Sequence, residues 1–206
     1  MAKKPSAPAV PIDPKPVIIA AALRLGAERA WSEIALADIA AAAGLGLIEL
    51  YRVFPSKLAI LDGLARQTDA AVLAVPADAG DRPRDRLFDV LMRRFDTLLP
   101  SRPALKRIAA DMQRLKLETL PAVLALPRSM GWMLEAAGIP ASGWRGSVRV
   151  RLLGLAYIAG FRVFLDDDSA DLTRTMAALD RALRRIEPFL ALPPTAEQSP
   201  NSTAAQ

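Results

Sequence analysis

Along this chain apolar positions recur at spacings of three and four rather than two, in stretches cut by proline, by glycine and by one acidic run. The breaks fall at Gly44, Pro55, the Pro76–Pro83 stretch, Pro100–Pro103, Pro121, Gly138–Gly143 and Asp166–Asp168, and they predict about nine helices. The first, Val17–Arg29, sets Ile18, Ala21, Ala22 and Leu25 on one face. Two short helices follow, Leu36–Ala43 and Leu47–Val53, parted at Gly44, a residue free to take the left-handed conformation that closes a helix. Two short helices across a glycine turn have a helix-turn-helix outline. Pro55-Ser56 then opens a long helix to about Val75, in which Ser56 caps the first amides and Leu58, Leu61, Leu64 and Ala65 form the buried stripe.

Longer helices make up the remainder: Phe88–Leu99, Lys106–Leu117, Arg128–Ala137, Trp144–Leu165 and a last one beyond the acidic run. The last carries Leu172, Met176, Leu179, Leu183 and Ile186 at spacings of four and three, a coiled-coil seam, with Asp168 and Asp171 supplying a negative start that suits the helix dipole. Asp180 and Arg184 add a pair four residues apart. Trp144–Leu165 places Val148, Leu152, Leu155 and Ala159 on one face. These two helices either zip to each other or to a second copy. So continuous a stripe favours the second copy, giving Val148, Leu152, Leu155, Leu172, Met176, Leu179, Leu183 and Ile186 as a homodimer interface.

Composition narrows the chemistry. The 206 residues include no cysteine and no histidine, which excludes disulfides, zinc fingers, cysteine nucleophiles and any catalytic pair built on histidine. No paired carboxylates or glycine-rich phosphate loop stand in their place, so neither an enzyme nor a cofactor is expected. Asp166–Asp168 reads as a loop and helix start rather than a metal site. Ala (39) and Leu (30) outweigh the aromatic and β-branched residues, and that balance supports an all-α fold. Residues 1–16 and 193–206 hold too little apolar surface to order themselves and are expected to be unstructured. No export signal or membrane-spanning run is apparent, which places the chain in the cytoplasm with no stable membrane insertion. The net charge of +5 matters only where it clusters. The Arg-rich spots at Arg82, Arg84, Arg86, Arg93 and Arg94 read as solvated helix faces.

The stretch Leu36–Leu64 resembles the DNA-binding signature of the TetR family of transcription regulators. Asp38-Ile39-Ala40, Ala43-Gly44, Leu50-Tyr51-Arg52, Phe54 and Pro55-Ser56-Lys57 stand in that signature's order and spacing. Ala22, Leu23, Ala27-Glu28-Arg29 and Trp31 extend the resemblance over about residues 17–64. It implies a three-helix DNA-binding unit over 17–75, preceded by a basic arm over 1–16, and a helical ligand-binding and dimerisation unit over 76–192. It further implies that Gly44 forms the turn, that Ala35, Gly46, Leu47, Glu49, Tyr51, Arg52 and Lys57 face double-stranded operator DNA, and that Lys57 and Tyr51 meet phosphates. The residues themselves leave room for Tyr51 as a packed aromatic with a wet hydroxyl and for Lys57 as a solvated helix start.

The chain departs from the family where DNA contacts concentrate. Gly46-Leu47-Ile48-Glu49 replaces a polar opening of the reading helix, and Ala35 stands where a phosphate-contacting threonine is common. Over 17–57, Arg24, Arg29, Arg52 and Lys57 are balanced by Glu28, Glu33, Asp38 and Glu49, so this segment is neutral. Lys3, Lys4 and Lys15 against Asp13 leave the arm at +2, available for phosphate or minor-groove contacts.

The same resemblance implies a pocket for a small effector in the second unit. Candidate liners are Phe95, Met112, Met130, Trp132, Met133, Trp144, Tyr157 and Phe161, each of which could equally be plain core. With few polar groups among them, the expected ligand is apolar: a lipid, an acyl or a quinone-like compound. Trp132–Gly138, Phe164–Ser169 and Thr175–Arg181 also resemble TetR-fold lipid-binding accessory proteins of ubiquinone biosynthesis, which no longer bind DNA, although no apolar C-terminal helix follows here. Two expectations result: a homodimeric repressor gated by an apolar ligand or, as the alternative, a lipid-binding helper of the same fold.

Overall fold

The computed structural model describes residues 13–77, 82–114 and 119–190; residues 1–12 of the first expected tail and all of the second, 193–206, lie outside the described residues. Every regular element in it is helical: α1 Pro14–Glu28, α2 Leu36–Ala42, α3 Leu47–Val53, α4 Lys57–Leu73, α5 Pro83–Leu98, α6 Arg102–Arg114, α7 Thr119–Ala136, α8 Gly143–Leu165 and α9 Thr173–Leu190. A 3-10 turn, Trp31–Glu33, joins α1 to α2, and another, Leu99–Ser101, joins α5 to α6.

Helix boundaries follow local chemistry. Helix α1 begins three residues earlier than expected because Asp13 caps it, accepting from Lys15 N at 3.1 Å, and Pro14 and Pro16 fit the first turn, where no intrahelical donor is needed. For the same reason Pro103 and Pro121 lie inside α6 and α7 rather than between helices, and α7 continues through Pro127 as α9 does through Pro188. Gly44, at φ +69°, ends α2 in a Schellman turn: its N–H meets Ala41 O at 3.1 Å and the Leu45 N–H reaches Ala40 O at 3.0 Å. Gly138 closes α7 the same way. Ser56 caps α4 as expected, accepting from Ala59 N at 3.1 Å.

Two hydrophobic cores form. In the first, Ile18, Ala22, Trp31, Ile39, Leu50 and Ile60 of the head join Ala104, Ile108 and Met112 from α6. In the second, α5, α7, α8 and α9 enclose Leu91, Phe95, Met130, Leu153, Phe164 and Leu183, reached by Val72 at the far end of α4. Helices α4 and α6 therefore serve both cores.

The α8–α9 pairing corrects the expected interface. Leu172, Leu179, Leu183 and Ile186 are buried in the chain's own core, and Met176 is half-buried. The seam closes within one molecule because α8 lies along it, the most extensive helix contact described. Val148 and Leu152 stay half-buried and Leu155 is 67 % exposed, so the outward apolar stripe belongs to α8. The start of α9 rests less on Asp168, which is solvated, than on Asp167: its carboxylate accepts from Ser169 N, Ser169 Oγ, Thr175 N and Thr175 Oγ1.

Candidate reading head and ligand cavity

On α3 Leu50 points into the core with no exposed surface, so Leu47, Ile48, Glu49, Tyr51 and Arg52 face outward. Leu47, Ile48 and Tyr51 are each more than half exposed and form an apolar strip along the helix. The two helix starts of the head are closed by the chain's own carboxylates. Asp38 accepts from Ala35 N at 3.0 Å, and Glu49 Oε2 accepts from Gly46 N at 2.7 Å. Each is half a capping box, since Ala35 and Gly46 have no side-chain acceptor to complete it. Glu49 is thus committed to its own helix rather than projecting toward a base, and an anion at either start would meet a carboxylate already in place.

The cations of the head are also largely engaged. Lys57 Nζ donates to Trp31 O at 2.6 Å and Ile34 O at 3.0 Å and lies 5.2 Å from the Trp31 ring centroid, half-buried under the turn between α1 and α2. In this placement the amine is held by two carbonyls of the turn, one of which, Trp31 O, also accepts from Ile34 N at 3.4 Å, rather than projecting freely toward a phosphate. Arg24 donates to Ala42 O at 3.1 Å, and Arg29 bonds Glu33 O at 3.2 Å beside Asp38. Among the described residues, Arg52 makes no hydrogen bond or ion pair.

Behind the head lies a cavity of about 470 Å³, between α4, α6, α7 and α8. Of the expected liners, Met112, Tyr157 and Phe161 border it. Phe95, Met130 and Met133 are wholly buried behind it, Phe95 stacking on Tyr157 at 5.2 Å. Trp132 and Trp144 face solvent, 53 % and 65 % exposed, Trp144 beneath the Arg145 guanidinium. Their positions on α7 and α8 fall on the outer faces, a distinction that residue type alone does not carry. Many of the wall residues that pattern reading missed come from α4 and α6, among them Leu58, Leu61, Leu64, Leu105 and Ile108, and others, such as Leu98, Leu126 and Ile158, from α5, α7 and α8.

Arg94, expected on a solvated face, is 4 % exposed and forms the polar floor of this cavity. It pairs with Asp69, also buried, and donates through Nε to Tyr157 Oη at 3.2 Å, while Ser129 Oγ donates to the other Asp69 oxygen at 2.6 Å. Burial pushes the guanidinium pKa down, but Tyr157 and Asp69 beside it outweigh that and raise it above its ordinary value; burial also raises the Tyr157 phenol, which stays protonated. The other arginines of α5 are likewise engaged. Arg84 pairs with Asp180, Arg86 bonds Ala137 O at 2.7 Å and Arg93 bonds Val75 O at 2.5 Å, whereas Arg82 is exposed. Three of them end on backbone or carboxylate groups of neighbouring helices because α5 is flanked by α4, α7 and α9. Among the described residues no cluster of acidic side chains suited to a metal occurs, and no helix is long and apolar enough to cross a membrane.

Residues 18–64 match the family model described as bacterial regulatory proteins, tetR family. No curated protein matches the chain. Among solved structures, a TetR transcriptional regulator from Nitrosomonas europaea ATCC 19718 is 25% identical, with a TM-score of 0.64 over 84% of this chain and 98% of its own. Another TetR transcriptional regulator, from Rhodococcus sp. RHA1, is 22% identical, with a TM-score of 0.61 over 86% and 96%. A tetR-family transcriptional regulator from Streptomyces coelicolor, 18% identical, superimposes at 0.52 over 84% of this chain and 83% of its own. The chain accordingly carries the TetR-type two-domain fold, a helix-turn-helix head on an all-helical body, with α2 and α3 falling within the segment that the family's own model matches.

Proposed function

We propose that this protein is a homodimeric DNA-binding transcription regulator, acting as a repressor, whose operator affinity is set by an apolar ligand in the cavity behind the head. The observation that carries the reading is shared structure: Leu61 and Leu64 on α4, and Ile108 and Met112 on α6, border the cavity and also pack in or against the core of the head. A ligand that spreads these residues must shift the helices on which α3 is mounted. Residues 17–75 would form the DNA-binding unit and residues 76–192 the ligand-binding and dimerisation unit. Two copies would meet through the outer face of α8, at Val148, Leu152 and Leu155, and present two α3 helices to successive half-sites. DNA contacts would fall to Arg52, Tyr51 and the basic arm, and so few cations predict a small salt slope and reliance on dimer avidity. A mobility-shift and footprinting titration on the DNA upstream of the protein's own gene, at low salt, tests this. Protection released by ligand is expected, and no protection would refute it.

A second reading is favoured by the apolar strip Leu47, Ile48 and Tyr51 together with the engagement of Arg24, Arg29 and Lys57. On it, the protein is a ligand-carrying helper that has kept the fold without reading DNA. Lipid recovered by mass spectrometry from a protein that binds no DNA supports this alternative; protein that is empty as purified counts against it.

A further inference from the structure

The cavity floor is a fixed array with an unusual balance of donors and acceptors. Asp69 uses both carboxylate oxygens, one on Arg94 Nη1 and one on Ser129 Oγ. Tyr157 Oη accepts from Arg94 Nε, so its own proton is free to point elsewhere, and among the described residues neither that proton nor the Arg94 Nη2 group has a protein partner. Arg94 and Tyr157 both border the cavity while being 4 % and 6 % exposed. The ring of Tyr157 cannot swing away: it is stacked on Phe95 at 5.2 Å and Phe161 at 5.8 Å, with the Arg94 guanidinium 5.4 Å from its centroid. Two donors are thereby held at the floor of a largely apolar chamber, beside an ion pair that is already neutral; the other polar wall groups are Asp62, Gln113, Ser129 and Arg162.

That arrangement discriminates among head groups. A carboxylate would bring a second negative charge beside Asp69 in a buried site where Arg94 is already neutralised, and a desolvated, uncompensated charge is costly. An alcohol also accepts from these donors, but its own proton must then compete for the Asp69 oxygens, which Arg94 and Ser129 already engage. An uncharged carbonyl accepts from both donors and leaves nothing unpaired.

We propose that the cavity selects an apolar molecule whose polar end is an uncharged carbonyl oxygen, a ketone or ester, bound by the Tyr157 hydroxyl and Arg94 Nη2 with its hydrocarbon body against Leu61, Leu105, Ile108 and Phe161. The inference rests on the proposal that the cavity holds the effector, and it adds the chemical class of that effector.

The test is calorimetric titration of the full chain with 2-tridecanone, 1-dodecanol and dodecanoate, probes of similar length that differ in head group. The ketone should bind about tenfold or more tighter than the other two, the weight of one well-placed hydrogen bond. Tyr157→Phe should remove about that factor for the ketone and leave the alcohol within a few-fold. Equal affinities, or tighter binding of the acid, overturn the head-group assignment while leaving an effector cavity standing; failure of all three probes overturns both. Because Tyr157→Phe also strips a partner from Arg94, a second measurement avoids the variant altogether. With the ketone labelled with carbon-13 at its carbonyl, the infrared stretch of the bound probe in the unaltered protein should fall below its position in hydrocarbon solvent. A band at the hydrocarbon position overturns the proposal.

Discussion

Replacing Lys57 by methionine separates an interior role from a surface one, because it keeps the hydrocarbon stem and removes only the charged head. The lost interactions are two charge-assisted hydrogen bonds, at 2.6 and 3.0 Å, and a cation–π contact at 5.2 Å. Hydrogen bonds to charged groups contribute roughly 1.5–3 kcal/mol each and an exposed cation–π contact about 0.5–1 kcal/mol. Lys57 is only half-buried, so water can take over part of the carbonyls' demand, and the terms share one amine and do not add fully. We expect Lys57→Met to cost about 2–3 kcal/mol, a fall in melting temperature of roughly 4–12 °C for a chain of this size. Urea and thermal unfolding followed by far-ultraviolet circular dichroism measure it. Arg52→Ala is the matched control: a surface change with no described partner, it should stay within about 0.5 kcal/mol of the parent, and under the proposed function it should weaken DNA binding and lower the salt slope by about 1. If Lys57→Met left both melting temperature and urea midpoint unchanged while reducing DNA affinity and its salt slope, the amine would be a phosphate ligand and the interior assignment wrong.

Three further outcomes can be checked with the same protein. A Cβ at Gly63 would lie 2.6 Å from Cε1 and Cζ of the Phe54 ring, so Gly63→Ala should destabilise by about 1–3 kcal/mol, whereas Gly131→Ala, with nothing nearer than 4.0 Å, should stabilise by up to about 1 kcal/mol through helix propensity. Burial of Asp167 tends to raise its pKa, but the hydrogen bonds from Ser169 and Thr175 outweigh it and bring the carboxyl from 3.8 to about 2. Its stabilisation is therefore complete above about pH 4 and lost as pH falls toward 2; at most about 2.4 kcal/mol is at stake, and Asp167→Asn should show a flatter acid limb in pH-dependent unfolding. Leu155→Arg, on the exposed stripe of α8, should convert a dimer into monomers without unfolding them, read by light scattering after size-exclusion chromatography; persistence of the dimer would locate the interface elsewhere.

Much of this architecture is legible in the sequence, and the errors have a common physical origin. The Leu47–Val53 helix, the glycine turn and the Ser56 cap were predictable because each depends on residues a few positions apart. What failed depends on partners far along the chain. Arg94 reads as a surface charge until Asp69 and Tyr157, 25 and 63 residues away, are brought beside it. The partners of Lys57 are equally remote, its two carbonyls lying 23 and 26 residues earlier. The seam Leu172–Ile186 states that one face of α9 is covered but not by which molecule, and α8 of the same chain covers it. Aromatic residue type marked Trp132 and Trp144 as pocket liners, yet helix register turns both outward.

The position of α6 constrains how ligand and DNA could communicate. The Ile108 side chain is packed so tightly on α1 that a Cβ at Gly26 would lie 3.1 Å from its Cδ1, and Ser32 N donates to Asp111 at 2.6 Å one turn further along. The same turn also borders the cavity, through Leu105, Ile108 and Ala109. There is no slack between the two surfaces, so a ligand larger than the resting cavity displaces α1 and the turn over which Lys57 is clamped, or it does not bind. Packed interiors respond in this way by discrete shifts rather than by gradual deformation. Coupling of this kind is reciprocal: if ligand lowers operator affinity by 5–150-fold, corresponding to about 1–3 kcal/mol, operator must lower ligand affinity by the same factor. Gly26→Ala, which presses on the wall residue Ile108 from the α1 side, should therefore change both affinities together. A change in one affinity alone would show that the ligand signal does not pass through α6.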